Sequence, residues 1–236
     1  AFIGALLQDE IGALQTLAVV GLSTASVRAL STEQLPGISS AQINALSAAQ
    51  LSSISAVQAQ SLVTQQIIYL STAQVVAFNS LALGALPTHD IVAMTTSQTS
   101  ALNPANLRSL TTEQIFALET SDISVLLTAS LSALQLSQVQ ALDVAQIRAL
   151  NTAQIANFST FNIGSLTTVQ VVSIVPEDFS ALTTSQFPAL NSAQFSALTT
   201  LQIFSLTSAQ AFGLSTRNVA SLTEAQLAAI NLPVLT

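Results

Sequence analysis

Residues 110–117 read Leu-Thr-Thr-Glu-Gln-Ile-Phe-Ala, and variants of this octad recur along the whole chain. Steps of eight residues from Leu6 to Ile230 meet a large apolar residue at all 29 positions, and 22 of these residues are leucine. A repeat of fixed length is typical of a protein built from one small unit that stacks on copies of itself. No insertion breaks the register, so the sequence predicts a single array of about 29 octads over residues 1–236, with no linker.

We call the residues at one position of every octad a column, so the series from Leu6 to Ile230 is the leucine column. Two further columns accept only certain types of residue. Three residues before this leucine column lies an isoleucine column, in which Ile43 and Ile115 are typical. The position just before it, the glutamine column, holds Gln in 17 of 30 octads and Asn, Asp or Glu in 7 more. A small residue precedes the leucine and Ser, Thr, Asn or Asp follows it. The consensus is therefore Leu-Ser/Thr-Thr-x-Gln-Ile-x-Ala.

Three kinds of backbone could produce a repeat of eight residues, and the pattern of the octad discriminates between them. A continuous α-helix would rotate its apolar stripe by about 80° per octad. It would also have to accommodate 6 prolines, so we exclude it. A β-solenoid remains an alternative, although strands require even spacing of their inward residues and the two apolar columns are an odd number of residues apart. A chain of very short helices, one per octad, fits the pattern best.

The Ser/Thr-x-x-Gln motif after each leucine is the capping-box pattern of a helix start. The hydroxyl accepts a hydrogen bond from an N–H of the first turn, and the glutamine accepts one from the N–H of the cap residue. Typical pairs are Ser31 with Gln34, Thr111 with Gln114, and Thr183 with Gln186. One helical turn is unstable alone, so each octad must bury its apolar columns against other octads. The sequence predicts an all-α solenoid, a superhelix of short capped helices in which Gln is a cap or a buried ladder.

The composition excludes several functional classes. The chain has no Cys, 1 His and only 6% charged residues, with a net charge of −7. Without Cys there is no disulfide or thiolate metal site, and 4 basic residues cannot follow a nucleic-acid backbone. His89 and Asp90 lack an evident nucleophile, and the acidic pairs at 9–10 and 177–178 lack the loop of a Ca²⁺ site. We expect no enzyme and no catalytic, cofactor or metal site.

The longest apolar stretch, residues 13–22, is about half the length of a membrane span. We therefore expect no membrane insertion.

Apolar residues at the two ends and on the outer surface are candidates for an assembly interface. A solenoid that stays monomeric needs polar terminal repeats, whereas both ends of this chain are apolar and in register. In several octads the position after the isoleucine column holds an aromatic residue, and this position is expected to face away from the core. Either a partner or a second layer of the same chain would cover such a row of aromatic side chains. The candidate interface residues are Phe2, Ile3, Leu6, Leu7, Phe116, Phe204, Phe212, Leu232, Val234 and Leu235. An uncapped end favours a head-to-tail contact with the next copy, or continuation in a longer array.

The pattern Leu-Thr-Thr-x-Gln-Ile-x-Ala-Leu resembles the Leu/Thr/Gln/Ala octapeptide tandem repeats of large secreted and cell-surface proteins of Gram-negative bacteria. It is also similar to the low-charge, Ser/Thr-rich repeat subunits of bacterial extracellular fibres. The resemblance covers essentially the whole chain. It implies an extracellular or cell-surface structural role, and it carries over no catalytic or ligand residues.

These observations lead to one expected function and two alternatives. We expect a structural subunit that assembles with copies of itself, head-to-tail, into an extracellular filament, tube or sheath. A stalk or adhesin-type binding module with O-linked glycans on its Ser and Thr residues is one alternative. Binding of ice or another surface through rows of Thr is the other.

Overall fold

The computed structural model describes residues 5–230, and these form short helices joined by extended residues. Within this range there are 26 α-helices of four to six residues and two 3₁₀ turns, and there is no strand. The prediction of an all-α solenoid is confirmed. The β-solenoid alternative is wrong for the residues that the structure describes.

The helices follow one another at the octad period. The first fourteen are α1 Gln8–Ala13, α2 Thr16–Val20, α3 Thr24–Arg28, α4 Ser40–Ala45, α5 Ala48–Ser52, α6 Ala56–Gln60, α7 Thr64–Tyr69, α8 Thr72–Ala77, α9 Ser80–Ala85, α10 Thr88–Val92, α11 Thr96–Ala101, α12 Pro104–Ser109, α13 Thr112–Ala117 and α14 Thr120–Val125. The others are α15 Thr128–Ser132, α16 Leu136–Ala141, α17 Val144–Ala149, α18 Thr152–Ala156, α19 Thr160–Ser165, α20 Thr168–Ser173, α21 Pro176–Phe179, α22 Ser192–Ala197, α23 Thr200–Phe204, α24 Ser208–Phe212, α25 Thr216–Ala220 and α26 Glu224–Ala229.

Two octads form a 3₁₀ turn instead of an α-helix, at Leu35–Gly37 and Phe187–Ala189. Each contains a proline in its middle, Pro36 or Pro188. Proline has no N–H to donate to the carbonyl four residues earlier, so an α-helical turn cannot continue through it.

The junction between successive helices consists of extended residues. Leu46 ends α4 with φ −63° and ψ 141°, and Ser47 begins the next octad with φ −71° and ψ 157°. Among the described residues none has a positive φ. The chain therefore changes direction at every octad without needing glycine, which explains how 7 glycines suffice for the whole array.

Within each of the two compact units of the chain, the helices wind into a coil whose successive turns pack on each other. Helices three octads apart are in contact, as are α4 with α7 and α8 with α11. Side chains of the glutamine column reach back farther, to carbonyl groups 28 to 31 residues earlier. One turn of the coil therefore takes between three and four octads, a number that the sequence did not indicate.

The two apolar columns form the core of the coil. Ile43 is fully buried and Leu46 is only 4% exposed, and this holds for most octads between the first and last turns. Phe179, Phe187 and Phe195 occupy the isoleucine column of three consecutive octads. Their ring centroids lie 5.7 and 6.3 Å apart, so neighbouring octads meet at the centre of the coil.

The coil separates into two compact units, Ala1–Ser130 and Leu131–Thr236, and the boundary lies within α15. Each unit has the same octad architecture. In residues 5–230 no helix has both the length and the apolar character needed to cross a bilayer.

Candidate functional site: the glutamine column and the edges of the coil

Most glutamines of the column connect their own octad to the preceding turn of the coil, and Gln74 is typical. Gln74 Oε1 accepts the N–H of Ser71 at 2.7 Å, and Ser71 Oγ accepts the N–H of Gln74 at 3.3 Å. Gln74 Nε2 donates to the carbonyls of Ile43, Asn44 and Leu46 at 2.8, 3.1 and 2.8 Å. The side chain is 3% exposed. Glutamine suits this position because one amide supplies both an acceptor and two donors. The acceptor oxygen caps the helix of its own octad, and the nitrogen donates to the carbonyls of the preceding turn.

The six predicted capping residues have the following contacts. Ser31 and Thr111 each accept the N–H of the glutamine three residues later, at 3.2 and 3.1 Å, and donate their own N–H to its Oε1 at 2.9 and 2.8 Å. Thr183 differs, because its N–H and its hydroxyl both donate to Gln186 Oε1, at 2.6 and 3.0 Å. The amides of Gln34, Gln114 and Gln186 all donate to carbonyls of the preceding turn.

Two octads that lack the glutamine satisfy carbonyls of the preceding turn in other ways. In octad 79–86 the column position is Ala82, and the cap residue Asn79 replaces the missing amide. Asn79 Oδ1 accepts the N–H of Ala82 at 2.9 Å, while its Nδ2 donates to Ile54 and Ser52 at 2.7 and 3.0 Å. Ser130, also in the column, donates its hydroxyl to Leu102 at 2.7 Å. An Asn at the cap position together with a missing glutamine was a sequence signal for this exchange.

Two acidic residues, Asp122 in the glutamine column and Glu113 beside it, have a pKa shifted from the ordinary value. Burial raises the pKa of Asp122, against hydrogen bonds from Thr99 and the Glu119 backbone, while the nearby charge of Glu119 raises it further. The exposed Glu113 has the opposite shift. Its own backbone N–H lowers the pKa, and the hydroxyls of Thr111 and Thr112 lower it further.

The first described turn leaves its leucine column partly open. Leu6, Leu14 and Leu22 are half-buried, whereas interior members of this column are nearly inaccessible. The isoleucine column of the same turn is closed, since Ile11 and Val19 are each 1% exposed. The preceding turn of the coil is therefore what covers the leucine column elsewhere. We call Leu6, Leu14 and Leu22 the leucine edge.

The last described turn leaves its isoleucine column open. Ala211 is half-buried, and Val219 and Leu227 are 40% and 42% exposed, although all three belong to the isoleucine column. We call these three residues the isoleucine edge. In the leucine column of this turn Leu222 stays buried, whereas Leu214 and Ile230 are partly exposed. The predicted interface shares Leu6 with the leucine edge and has no residue in common with the isoleucine edge.

Four of the candidate interface residues are large, exposed and inside the described range. Leu7, Phe116, Phe204 and Phe212 are 66%, 60%, 59% and 68% exposed, so no second layer of described residues covers them. Phe2, Ile3, Leu232, Val234 and Leu235 lie outside the described residues.

The single histidine lies on the surface. Its Nε2 is 3.5 Å from Oδ1 of the buried Asp90, and the His89 side chain is 69% exposed. Within residues 5–230 no group of three or more His, Cys, Asp or Glu side chains could hold a metal ion.

The sequence profile of the ALTTAQ repeat matches residues 11–48, 141–175 and 171–208. Each match extends over several octads. The chain is thus similar to a known tandem repeat, in agreement with the octad pattern. No curated protein matches the chain.

Proposed function

We propose that the chain is a structural subunit that stacks head-to-tail on copies of itself. The observation that carries this proposal is the difference between the two edges. The first described turn exposes leucine-column side chains and buries its isoleucine column, whereas the last described turn exposes its isoleucine column and, in part, Leu214 and Ile230; between these turns both columns are buried. A junction between the isoleucine edge of one copy and the leucine edge of the next would repeat the interior packing.

Such a contact joins two different surfaces, so it is heterologous. A heterologous contact forms a closed ring or an open filament, depending on the rotation between copies. We favour an open filament, tube or sheath because both described edges expose apolar side chains. The resemblance to repeats of bacterial cell-surface and fibre proteins supports placing this assembly outside the cell.

The junction would depend on apolar contact rather than on the amide ladder. The glutamine column of the first turn holds Glu10, Ala18 and Ser26, none of which has a carboxamide to donate to another copy. Each copy also carries a net charge of −7, and like charges oppose association. Assembly should therefore increase with salt, which screens charges beyond about 8 Å at physiological ionic strength.

The direct test is the size of the chain in solution as a function of protein and salt concentration. Light scattering should show a mass that grows with both, and electron micrographs of the same samples should show fibres of uniform width. A constant monomer mass over the whole range would refute the proposal.

A pair of variants tests the polarity of the junction. Leu14→Glu places a charge on the leucine edge, and Leu227→Glu places one on the isoleucine edge. Each variant alone should stay monomeric, because one of its two edges is blocked. An equimolar mixture should form a dimer through the two unblocked edges.

The matched control is Leu81→Glu, since Leu81 is 78% exposed on α9, away from both edges. It should assemble like the unmodified chain. Equal inhibition by Leu81→Glu and Leu227→Glu, or a mixture that stays monomeric, would contradict an edge-to-edge contact.

A second candidate function is surface binding through aligned threonines. Thr72, Thr96 and Thr120 are exposed at equivalent positions of α8, α11 and α14, which pack on one another. Such a row supports the alternative of an adhesin-type, glycan-bearing or ice-binding surface. Replacing all three by Val should abolish ice-growth inhibition or glycan addition if the row is used. Unchanged activity in the triple variant would exclude it.

A further inference from the structure

Octad 87–94 is the place where the hydrogen-bonding scheme of the coil fails. Its glutamine-column residue is Asp90, which is fully buried. Aspartate is one methylene shorter than glutamine and, when ionised, has no hydrogen to donate. In the described part of the chain no side chain donates to the carbonyl of Leu62, the group 28 residues earlier that a glutamine would reach.

One oxygen of this carboxylate has no partner. Asp90 Oδ1 accepts the hydroxyl of Thr64 at 2.7 Å, but the buried Oδ2 has no hydrogen-bond partner among the described residues. The cause lies in the cap position, because residue 87 is proline and proline has no N–H. In octad 71–78 the corresponding N–H, that of Ser71, fills this role.

Other octads with a substituted glutamine do not leave an oxygen in this state. Asp122 receives hydrogen bonds from the Glu119 backbone and the Thr99 side chain. Ser130 and Asn162 each donate to the carbonyl 28 residues earlier. Octad 87–94 differs because it combines an unpaired carboxylate oxygen with a carbonyl, that of Leu62, that lacks its usual donor. A buried carboxylate oxygen without a partner is costly, and His89 and Thr64 both lie against the other oxygen, Oδ1.

We propose that Asp90 Oδ2 and the carbonyl of Leu62 bind a monovalent cation of potassium size, in the place that the glutamine amide nitrogen takes in other octads. That nitrogen is surrounded by carbonyl oxygens, as Gln58 Nε2 is by those of Val27, Arg28 and Leu30 at 3.0, 3.3 and 2.7 Å. Rings of main-chain carbonyl oxygens are the ligands that replace the hydration shell of K⁺ in its channels.

Charge and distance both favour a monovalent ion over a divalent one. The pocket offers one carboxylate, so K⁺ neutralises it, whereas Ca²⁺ or Mg²⁺ would leave a net positive charge in the core. The distances from the glutamine amide nitrogen to its carbonyl oxygens, 2.7 to 3.3 Å at Gln58, are also longer than the contacts of about 2.0–2.6 Å that Mg²⁺ and Ca²⁺ make. Because one carboxylate neutralises a monovalent ion, the site does not require the cluster of acidic side chains that a divalent site needs.

Thermal unfolding of the full chain in KCl and in choline chloride at equal ionic strength tests this proposal. A ligand that binds only the folded state raises its stability. We expect Tm to be about 2–4 °C higher in 200 mM KCl, the shift that corresponds to moderate occupancy in a chain of this length. Equal Tm values in the two salts would overturn the proposal, because a buried water molecule would not distinguish them.

Two variants locate the effect. The double variant Pro87→Ser with Asp90→Gln restores the consensus octad, so it should fold and lose the difference between the salts. Asp122→Gln changes the other fully enclosed aspartate of the column and should keep the difference. A potassium effect that survives in the double variant, or that disappears in Asp122→Gln, would place the ion elsewhere and refute the site.

A crystal soaked in thallous ion, a heavy substitute for K⁺, gives a direct readout. The anomalous signal should lie between Asp90 Oδ2 and the Leu62 carbonyl. Anomalous density only at the surface would refute the proposed ligands.

Discussion

Octads 71–78 and 79–86 are neighbours in sequence, and they satisfy the preceding turn with different side chains. In the first, Gln74 donates to three carbonyls while Ser71 caps the helix. In the second, Asn79 caps the helix and also donates to two carbonyls, because Ala82 cannot. The comparison teaches that the fold requires a buried donor beside these carbonyls rather than a glutamine at one particular position.

The largest expected effect is the loss of the glutamine itself. Gln74→Ala removes a cap acceptor and the donor to the preceding turn, which leaves buried polar groups unpaired. We expect the free energy of unfolding to fall by about 3 kcal/mol, measured by urea denaturation. Gln140→Ala is the control, since exposed Gln140 makes a single 3.3 Å bond to Ser165, and it should change stability by less than about 0.5 kcal/mol. Equal effects of the two changes would show that the ladder is not a major source of stability.

The second prediction compares two cap asparagines. Asn79→Ala should cost about 2–3 kcal/mol, because the cap and the donors to Ser52 and Ile54 disappear together. Asn191→Ala should cost about 1 kcal/mol, since there Gln194 still donates to the preceding turn. Combining Asn79→Ser with Ala82→Gln should recover most of the stability. Equal losses at positions 79 and 191 would contradict the exchange of roles.

The third and smaller expected effect on stability comes from the close approach of successive turns of the coil at Gly84. A Cβ atom added at Gly84 would lie 2.6 Å from the carbonyl oxygen of Ser109, in the helix that packs on α9. Gly84→Ala should therefore destabilise the chain by about 1–2 kcal/mol, although alanine favours helix. Gly213→Ala is the matched control, because its nearest atoms are 3.3 Å away and its φ is −78°. It should be neutral or slightly stabilising, as calorimetry would show, and a stabilised Gly84→Ala would mean that the turns separate easily.

The smallest expected effect depends on pH. Because the pKa of Asp122 is raised in the folded state, the native chain binds this proton more tightly than the unfolded chain does. Its stabilising contribution is present below the ordinary pKa of 3.8 and is lost as the pH rises through the folded-state value. Asp122→Asn should therefore be more stable than the unmodified chain at pH 7, by about 1 kcal/mol. The advantage should shrink toward pH 4 in denaturation curves, and a constant difference would argue against titration of this carboxyl.

Much of the fold could be predicted because the residues within one octad are enough to specify its local structure. The Ser/Thr-x-x-Gln pattern indicated short capped helices, as Ser39–Gln42 and Thr111–Gln114 show. The interface residues named from the sequence stay a prediction. They include Leu6 of the leucine edge but not Leu14 or Leu227, because these two residues look like any other member of their columns in the sequence.

The sequence by itself determined the helix, its cap and the two apolar columns, because these depend on residues at most eight positions apart. Only the tertiary structure decided how many octads complete a turn and where each amide nitrogen donates, since those contacts join residues 24 to 31 positions apart. It also decided which column each end exposes. Equivalent residues look alike in every octad of the sequence, but the burial of a side chain depends on whether another turn of the coil packs against its octad.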